Sequence, residues 1–440
     1  MGPSSHRRRR VLMHRLRRRL RSSFLIVPFL GILSGYLLAT GAVWTDEWIH
    51  DLNDRLGSVR IDELLVFRLA EDLGESAKAA LATMSSAMLT FLGVVFSITL
   101  VALQMAAGQL TPRVLRIYVE SWVTKTTLAV FLCTFLYTLR LQKEYAKTDD
   151  PEQAVVPYVG ASLAMFLVVG SLMLFVVYVH TTIAMMRPTH VMDRVTAETL
   201  RLARSSGSYD QETEGDLPAK AGVLSYAGPP GVLQSIRVHA LIPLAARHGT
   251  VLRLIPRIGD FLAPGTPLFE AHGGRLPPSA AVHKTLDIGG ERTPDQDLAF
   301  GLRQLADIAA RALSPGVNDP TTATQALDRI QVVLAAFADQ PLGRAWHRDR
   351  DGRVRLVETE PSWAELVDMA LTEIRAYGAG SVQVTRRLAA LLADLEAAVP
   401  PPRRAPLVRH RALLEEAVSR AVPATDQRAY ALTPDRQGIG

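Results

Sequence analysis

Four long apolar stretches within the first 190 residues constrain this 440-residue chain more than any other feature. A hydrocarbon core about 30 Å thick asks for roughly 20 apolar residues per helical span. The stretches predict spans over about residues 24–43, 79–107, 126–141 and 155–186. The third ends at Arg140, whose long side chain can reach back to the interface. Trp44 and Trp48 follow the first at interface depth. A cleaved signal peptide competes for that first stretch, because Ala39-Thr40-Gly41 resembles a small-residue cleavage site. On either reading residue 45 emerges on the far side, and the rest of the topology stands.

Charge placement orients the set. Arg7 to Arg10, Arg15, Arg17 to Arg19 and Arg21 precede the first span. The next connection is acid-rich, with Asp46, Glu47, Asp51, Asp54, Asp62, Glu63, Glu71, Asp72 and Glu75. Arg113, Arg116 and Lys125 follow the second span, an acidic connection over 142–153 follows the third, and Arg187, Arg194 and Arg201 follow the fourth. Basic segments stay where the chain is made, so the alternation predicts both termini in the cytoplasm. The net charge of +6 therefore reads as a topology signal and predicts no nucleic-acid partner. Cys133, the single cysteine, excludes an internal disulfide and a cysteine-based zinc site.

The second span carries a pattern. At about 100° per residue, Ser86, Gly93, Ser97, Gln104 and Gly108 share one stripe, while Leu89, Phe91, Phe96 and Leu103 fill the rest of the circumference. Small and polar residues on one stripe support close helix packing. They also suit the wall of a polar pathway in an oligomer. No span holds a mid-bilayer Asp, Glu, Lys or Arg, which argues against proton-coupled transport. His180, beside Thr181 and Thr182, reads as an interfacial residue.

Beyond residue 190 the chain reads as soluble protein. Residues 191–219 are expected to link the halves. From 220 to 275, short β-branched runs broken by Gly and Pro predict strands. In Arg257 to Leu268, Gly259 and Gly265 can supply positive φ. That stretch resembles the small β-sandwich of biotinyl and lipoyl carriers without the carrier lysine, and so predicts a structural β-module. Val238–Arg247 suits a short inserted helix.

From 283 to 440 the chain turns mainly helical. Leu298, Leu302, Leu305, Ile308 and Leu313 mark one buried face, and Leu327, Ile330, Val333, Leu334 and Phe337 another. A hairpin is expected around Asp351-Gly352, then helices near 362–377, 380–398 and 406–421. Between the first two helices lies Ser314-Pro-Gly-Val-Asn-Asp-Pro320. It can be a capped junction, with Gly316 after one helix, Asn318 or Asp319 as N-cap and Pro320 at the first helical position. It can also be a ligand or interface site, with Ser314, Asn318, Asp319 and Thr321 presenting oxygens. His410, between Arg409 and Arg411, reads as part of a solvated face.

Phosphate-loop, dinucleotide, zinc-protease, nucleophile-elbow and calcium-loop motifs are missing from the sequence. No catalytic, cofactor-binding or metal residue is assigned, no cofactor is expected, and an enzyme is the least favoured class.

Two segments carry a family resemblance. Phe91-Leu-Gly-Val-Val-Phe-Ser-Ile-Thr-Leu-Val-Ala-Leu-Gln104 with Gln109-Leu-Thr-Pro-Arg-Val-Leu115 is one, and Phe300 to Pro320 is the other. Together they resemble the hallmarks of a bacterial family of predicted membrane proteins, domain of unknown function 2254, over about residues 20–420. The resemblance implies an inner-membrane protein with several N-terminal spans and supplies no reaction. The expectation is a membrane α-helical domain (23–190, after a basic cytoplasmic start at 1–22) followed by a soluble α+β domain. Its partners are the lipid bilayer and other copies of itself, acting as a channel or transport-related oligomer. A membrane-anchored binding or signalling scaffold is the alternative.

Overall fold

The computed structural model of the chain describes residues 25–56, 77–109, 121–145, 158–206 and 217–438. The arginine-rich start, most of the loop charges behind the alternation, the Leu110–Leu115 phrase and the acidic stretch after 206 lie outside the described residues. The chain divides into two compact units, one ending at Arg187 and the other beginning at Pro188, with residues 109–111 assigned to the second.

The first unit comprises four long helices: α1 (Ile26–Leu56), α2 (Ala77–Gln109), α3 (Trp122–Tyr145) and α4 (Tyr158–Met185). Each contains a stretch long and apolar enough to cross a membrane: Ile26–Ile49, Ala79–Met105, Trp122–Glu144 and Val159–Met185. Helix is the natural outcome, because hydrocarbon offers backbone N–H and C=O groups no other partners. Two boundaries differ from the apolar runs. The first helix continues to Leu56 and carries Asp46. The third begins at Trp122 and takes in Lys125, which is fully buried. Both residues had read as loop charges, because a charge marks the end of an apolar run and not the end of a helix.

The closest approach in this unit is between α1 and α3. A Cβ on Gly31 would stand 2.2 Å from the Ala129 carbonyl oxygen, and one on Gly35 would stand 2.4 Å from that of Cys133. Two glycines four apart thus let the backbones meet, a packing mode suited to lipid, where apolar area alone does not drive association. Over half of the third span's apolar window is buried (56%), against 17% for the second and fourth, so α3 is the centre of the bundle. Phe91, Phe131, Phe175 and Tyr178 cluster at its middle in tilted and edge-on contacts, with ring centroids 5.5–6.4 Å apart.

The second unit opens with α5 (Pro188–Ser206), so the stretch expected to link the halves begins as helix. Strands β1 (Lys220–Ser225), β2 (Gly231–Ile236), β3 (Val251–Leu254), β4 (Phe261–Leu262), β5 (Pro267–His272) and β6 (Leu286–Gly289) follow, with α6 (Val238–Arg247) and α7 (Ser279–His283) inserted. The helical part is α8 (Phe300–Ala312) and α9 (Pro320–Phe337), the hairpin β7 (Arg344–Arg348) and β8 (Val354–Thr359), then α10 (Trp363–Gly378), α11 (Val382–Ala398), α12 (Arg404–Ala421) and α13 (Thr425–Leu432).

Two sheets enclose one core. The larger has strand order β1-β5-β3-β8-β7 and the smaller β4-β2-β6. The turn glycines behave as their positions require, with φ of +98° at Gly259 and +90° at Gly265. The larger sheet reaches beyond the local module, because β8 joins β3 in parallel and brings in the hairpin 100 residues downstream. Leu233, Leu254, Leu262, Phe269 and Leu356 fill the space between the sheets. In the helical part, the faces expected on α8 and α9 are buried, with Leu302, Leu305, Leu327, Ile330, Leu334 and Phe337 all at 0% exposure.

Candidate functional site

In α2 the sequence's small and polar stripe and the buried face are opposite one another. Leu81, Met88, Val95 and Ala102 recur every seven residues and are buried. Ser86, Gly93, Ser97 and Gln104 fall about 180° away from them and are exposed. A Cβ on Gly93 would meet nothing within 4 Å. Gly108 closes the same stripe on the helix backbone. The stripe therefore packs on nothing within its own chain among the described residues. Thr90, beside it, already donates its hydroxyl back to the Ser86 carbonyl at 3.0 Å.

The inward polar residues lie on α3, where the sequence reading did not look. Thr124, Thr127, Thr134 and Thr138 line one buried face. Thr134 and Ser171 of α4 share a hydrogen bond of 3.0 Å, and Thr138 donates to the Thr134 carbonyl at 3.0 Å. Thr99 of α2 and Tyr178 of α4 share one of 2.6 Å. Threonines spaced three, seven and four apart were the available signal. They form no distinct polar face, because buried apolar residues such as Leu128, Phe131, Cys133 and Tyr137 surround them on the same helix.

One end of the bundle is latched by Asp46. Its carboxylate accepts from the backbone N–H groups of Val159 (2.8 Å) and Gly160 (2.9 Å), the unsatisfied donors at the start of α4. Tyr137 donates to the Gly160 carbonyl at 2.9 Å. An anion at a helix N-terminus also meets the positive end of the helix dipole. Asp46 is 2% exposed and so acts as a cap between helices.

At the Ser314–Pro320 junction the residues satisfy one another. Asp319 is the N-cap of α9: Oδ1 accepts from the Thr322 N–H at 3.0 Å and Oδ2 from the Thr322 hydroxyl at 2.5 Å. Pro320 occupies the first turn. The Ser314 hydroxyl donates to the Arg311 carbonyl at 2.7 Å, and the Thr321 carbonyl accepts from Thr324 at 2.8 Å. The left-handed residue is Asn318, with φ of +48°, and not Gly316. Asn tolerates that region because its short amide bonds locally. Asn318 and Thr321 are exposed, and both Asp319 carboxylate oxygens accept from Thr322.

Elsewhere in this unit His410 is buried at 2% exposure, not solvated. Its Nε2 meets Asp368 at 2.7 Å and its Nδ1 accepts from Arg375 at 3.1 Å. Burial holds its pKa below the usual histidine value, against the pull of Asp368. The i, i+4 pair Arg303–Asp307 (2.7 Å) is also tied to α10, where Arg303 forks onto Glu373 at 3.0 Å with each nitrogen. Just after β8, burial and the neighbouring Glu358 push the Glu360 carboxyl up to about 7. Among the described residues, no group of three His, Cys, Asp or Glu side chains is placed to hold a metal ion.

Comparison with known proteins bears on the whole chain. The model of a family described as predicted membrane protein (DUF2254) matches residues 21–394. Two uncharacterized proteins, Rv1290c of Mycobacterium tuberculosis (strain H37Rv) and Mb1321c of Mycobacterium bovis, are each 30% identical over 427 residues, covering 92% of this chain and 78% of theirs. A third, MT1328 of Mycobacterium tuberculosis (strain CDC 1551), is 29% identical over the same coverage. No solved structure matches.

Proposed function

The chain belongs to the DUF2254 family of predicted membrane proteins, and from that premise we propose that it works as an inner-membrane oligomer whose copies meet along the second span. Residues 188–440 would then form a cytoplasmic domain that assembles or gates the complex. The observation that carries this is the outward stripe: Ser86 and Ser97 make no side-chain hydrogen bond among the described residues, and Gly93 leaves a gap in the helix surface. Hydroxyls facing hydrocarbon are costly unless another helix or water meets them. A route for solute between copies follows from the same stripe. A route through one bundle is disfavoured, because its middle is filled by four aromatic rings packed edge-on and tilted. The charge alternation supports both termini in the cytoplasm.

The test is native mass measurement and planar-bilayer recording on the purified full chain. The expected result is an oligomer that Gly93→Leu and Ser97→Leu dissociate, together with conductance that those variants lose. A monomer by mass, silent under voltage, tension and osmotic shock, would overturn the reading. A scaffold without transport is the second reading, favoured by the exposed Val317 beside the left-handed Asn318. Recovery of one soluble partner that Val317→Asp abolishes would support it.

A further inference from the structure

The helix that follows the fourth span has two faces with opposite characters. Val191, Met192, Val195, Thr199 and Ala203 of α5 are buried. They pack on α8 and α9 so closely that a Cβ on Gly301 would lie 1.7 Å from the Thr199 hydroxyl. Arg329 of α9 pairs with Asp193 at 3.0 Å and fixes the helix from a second side. The opposite face carries His190, Arg194, Arg201 and Arg204, all exposed and within about 80° of one another at 100° per residue. Ala197 is exposed in their midst. The nearby carboxylates are Asp193, already taken by Arg329, and the half-buried Glu198. Arg201 bonds only to its own helix, at the Ala197 carbonyl (3.3 Å). No carboxylate pairs with Arg194 or Arg201 among the described residues.

This basic face starts where span four stops. Only Met186 and Arg187 separate α4 from α5, and Arg187 adds a further exposed charge at the junction. Arginines immediately beyond a span, here Arg187 and Arg194, are within reach of the headgroup layer and are attracted by an anionic surface. Such a field decays over a Debye length of about 10 Å at 0.1 M salt, so chain proximity is what makes the charges count.

We propose that the exposed basic face of α5 binds anionic lipid headgroups of the leaflet from which span four emerges. Because α5 is packed rigidly on α8 and α9, its guanidinium groups are held in place by the fold and need no ordering on binding. The inference requires only that span four crosses a bilayer and does not depend on whether copies assemble.

The full chain, with Cys133→Ser and an environment-sensitive fluorophore on Ala197→Cys, is placed in nanodiscs of phosphatidylcholine or of phosphatidylcholine with phosphatidylglycerol. A trace of headgroup-spin-labelled lipid serves as quencher. Quenching is expected to be several-fold stronger with phosphatidylglycerol, to fall as salt is raised, and to be lost in the triple variant Arg194→Gln, Arg201→Gln, Arg204→Gln. The matching triple lysine variant should retain it. These residues are exposed, so an unchanged thermal midpoint certifies the fold of both variants. Equal quenching in the two lipids, or full quenching in the glutamine variant, would overturn the proposal. Because phosphatidylglycerol is present in both leaflets of a nanodisc, an error in the assigned orientation would leave this result unchanged.

Discussion

The third span turns Thr124, Thr127, Thr134 and Thr138 into the bundle, whereas the second turns Ser86, Gly93, Ser97 and Gln104 away from it. The first span carries Gly31 and Gly35 against the third span's backbone, while Gly93 of the second meets empty space. The residue types are alike and their situations are not. Thr134 shares a hydrogen bond with Ser171 and so ties the third span to the fourth, whereas the buried Thr127 hydroxyl has no partner among the described residues. The outward ones specify no neighbour within the chain among the described residues, and the rotation of the second span is set by its buried face of Leu81, Met88, Val95 and Ala102.

The contrast is sharpest at the glycines. Gly35→Leu drives a side chain into the Cys133 carbonyl, and the solubilised protein should lose about 3 kcal/mol or fail to fold. Gly93→Leu should leave the thermal midpoint of the isolated chain unchanged and alter only its assembly. Equal damage from both, read by thermal denaturation in detergent, would erase the distinction between the two spans.

A similar contrast between matched and mismatched burial exists in the second unit, where His410 has Asp368 and Arg375 while Glu360 faces Glu358. The folded pKa of Glu360, about 7, is above its ordinary value of 4.5. Its contribution is therefore complete below the unfolded value and is lost as pH rises through 7. Glu360→Gln should match the parent near pH 4.5 and exceed it above pH 8 by on the order of 2 kcal/mol. Melting curves at the two pH values check this; a constant difference would mean that Glu360 titrates alike in the folded and unfolded chain.

The smallest effect belongs to the hydroxyls. Thr134→Val should destabilise the membrane unit by about 0.6 kcal/mol, the typical worth of a hydrogen bond between spans. Ser97→Ala should cost nothing in the separated chain. A double-mutant cycle with Ser171→Ala assigns the Thr134 effect to its pair.

Much of the fold was legible because lengths and caps are local matters. Four apolar runs gave four spans, Asp319-Pro320 gave the start of a helix, and Gly259 and Gly265 gave left-handed turns. In the soluble helices the buried faces were also readable, since water makes one face polar. His410 is buried between two exposed arginines because successive helix residues stand about 100° apart, so their charge says nothing of its burial. The hairpin at 344–359 was recognisable as a hairpin, but its parallel pairing with β3 was not, because strand partners far apart in the chain leave no local mark.

The sequence by itself determined the number of spans, the existence of a soluble α+β part and the stripe on the second span. Only the tertiary structure decided which way that stripe faces, that the third span is central, and that Asp46 and Lys125 belong to helices. The physical reason is the solvent. Lipid tails are as apolar as leucine, so a span shows no hydrophobic difference between its inner and outer faces, and its rotation is set by glycine contacts and hydrogen bonds to helices distant in sequence.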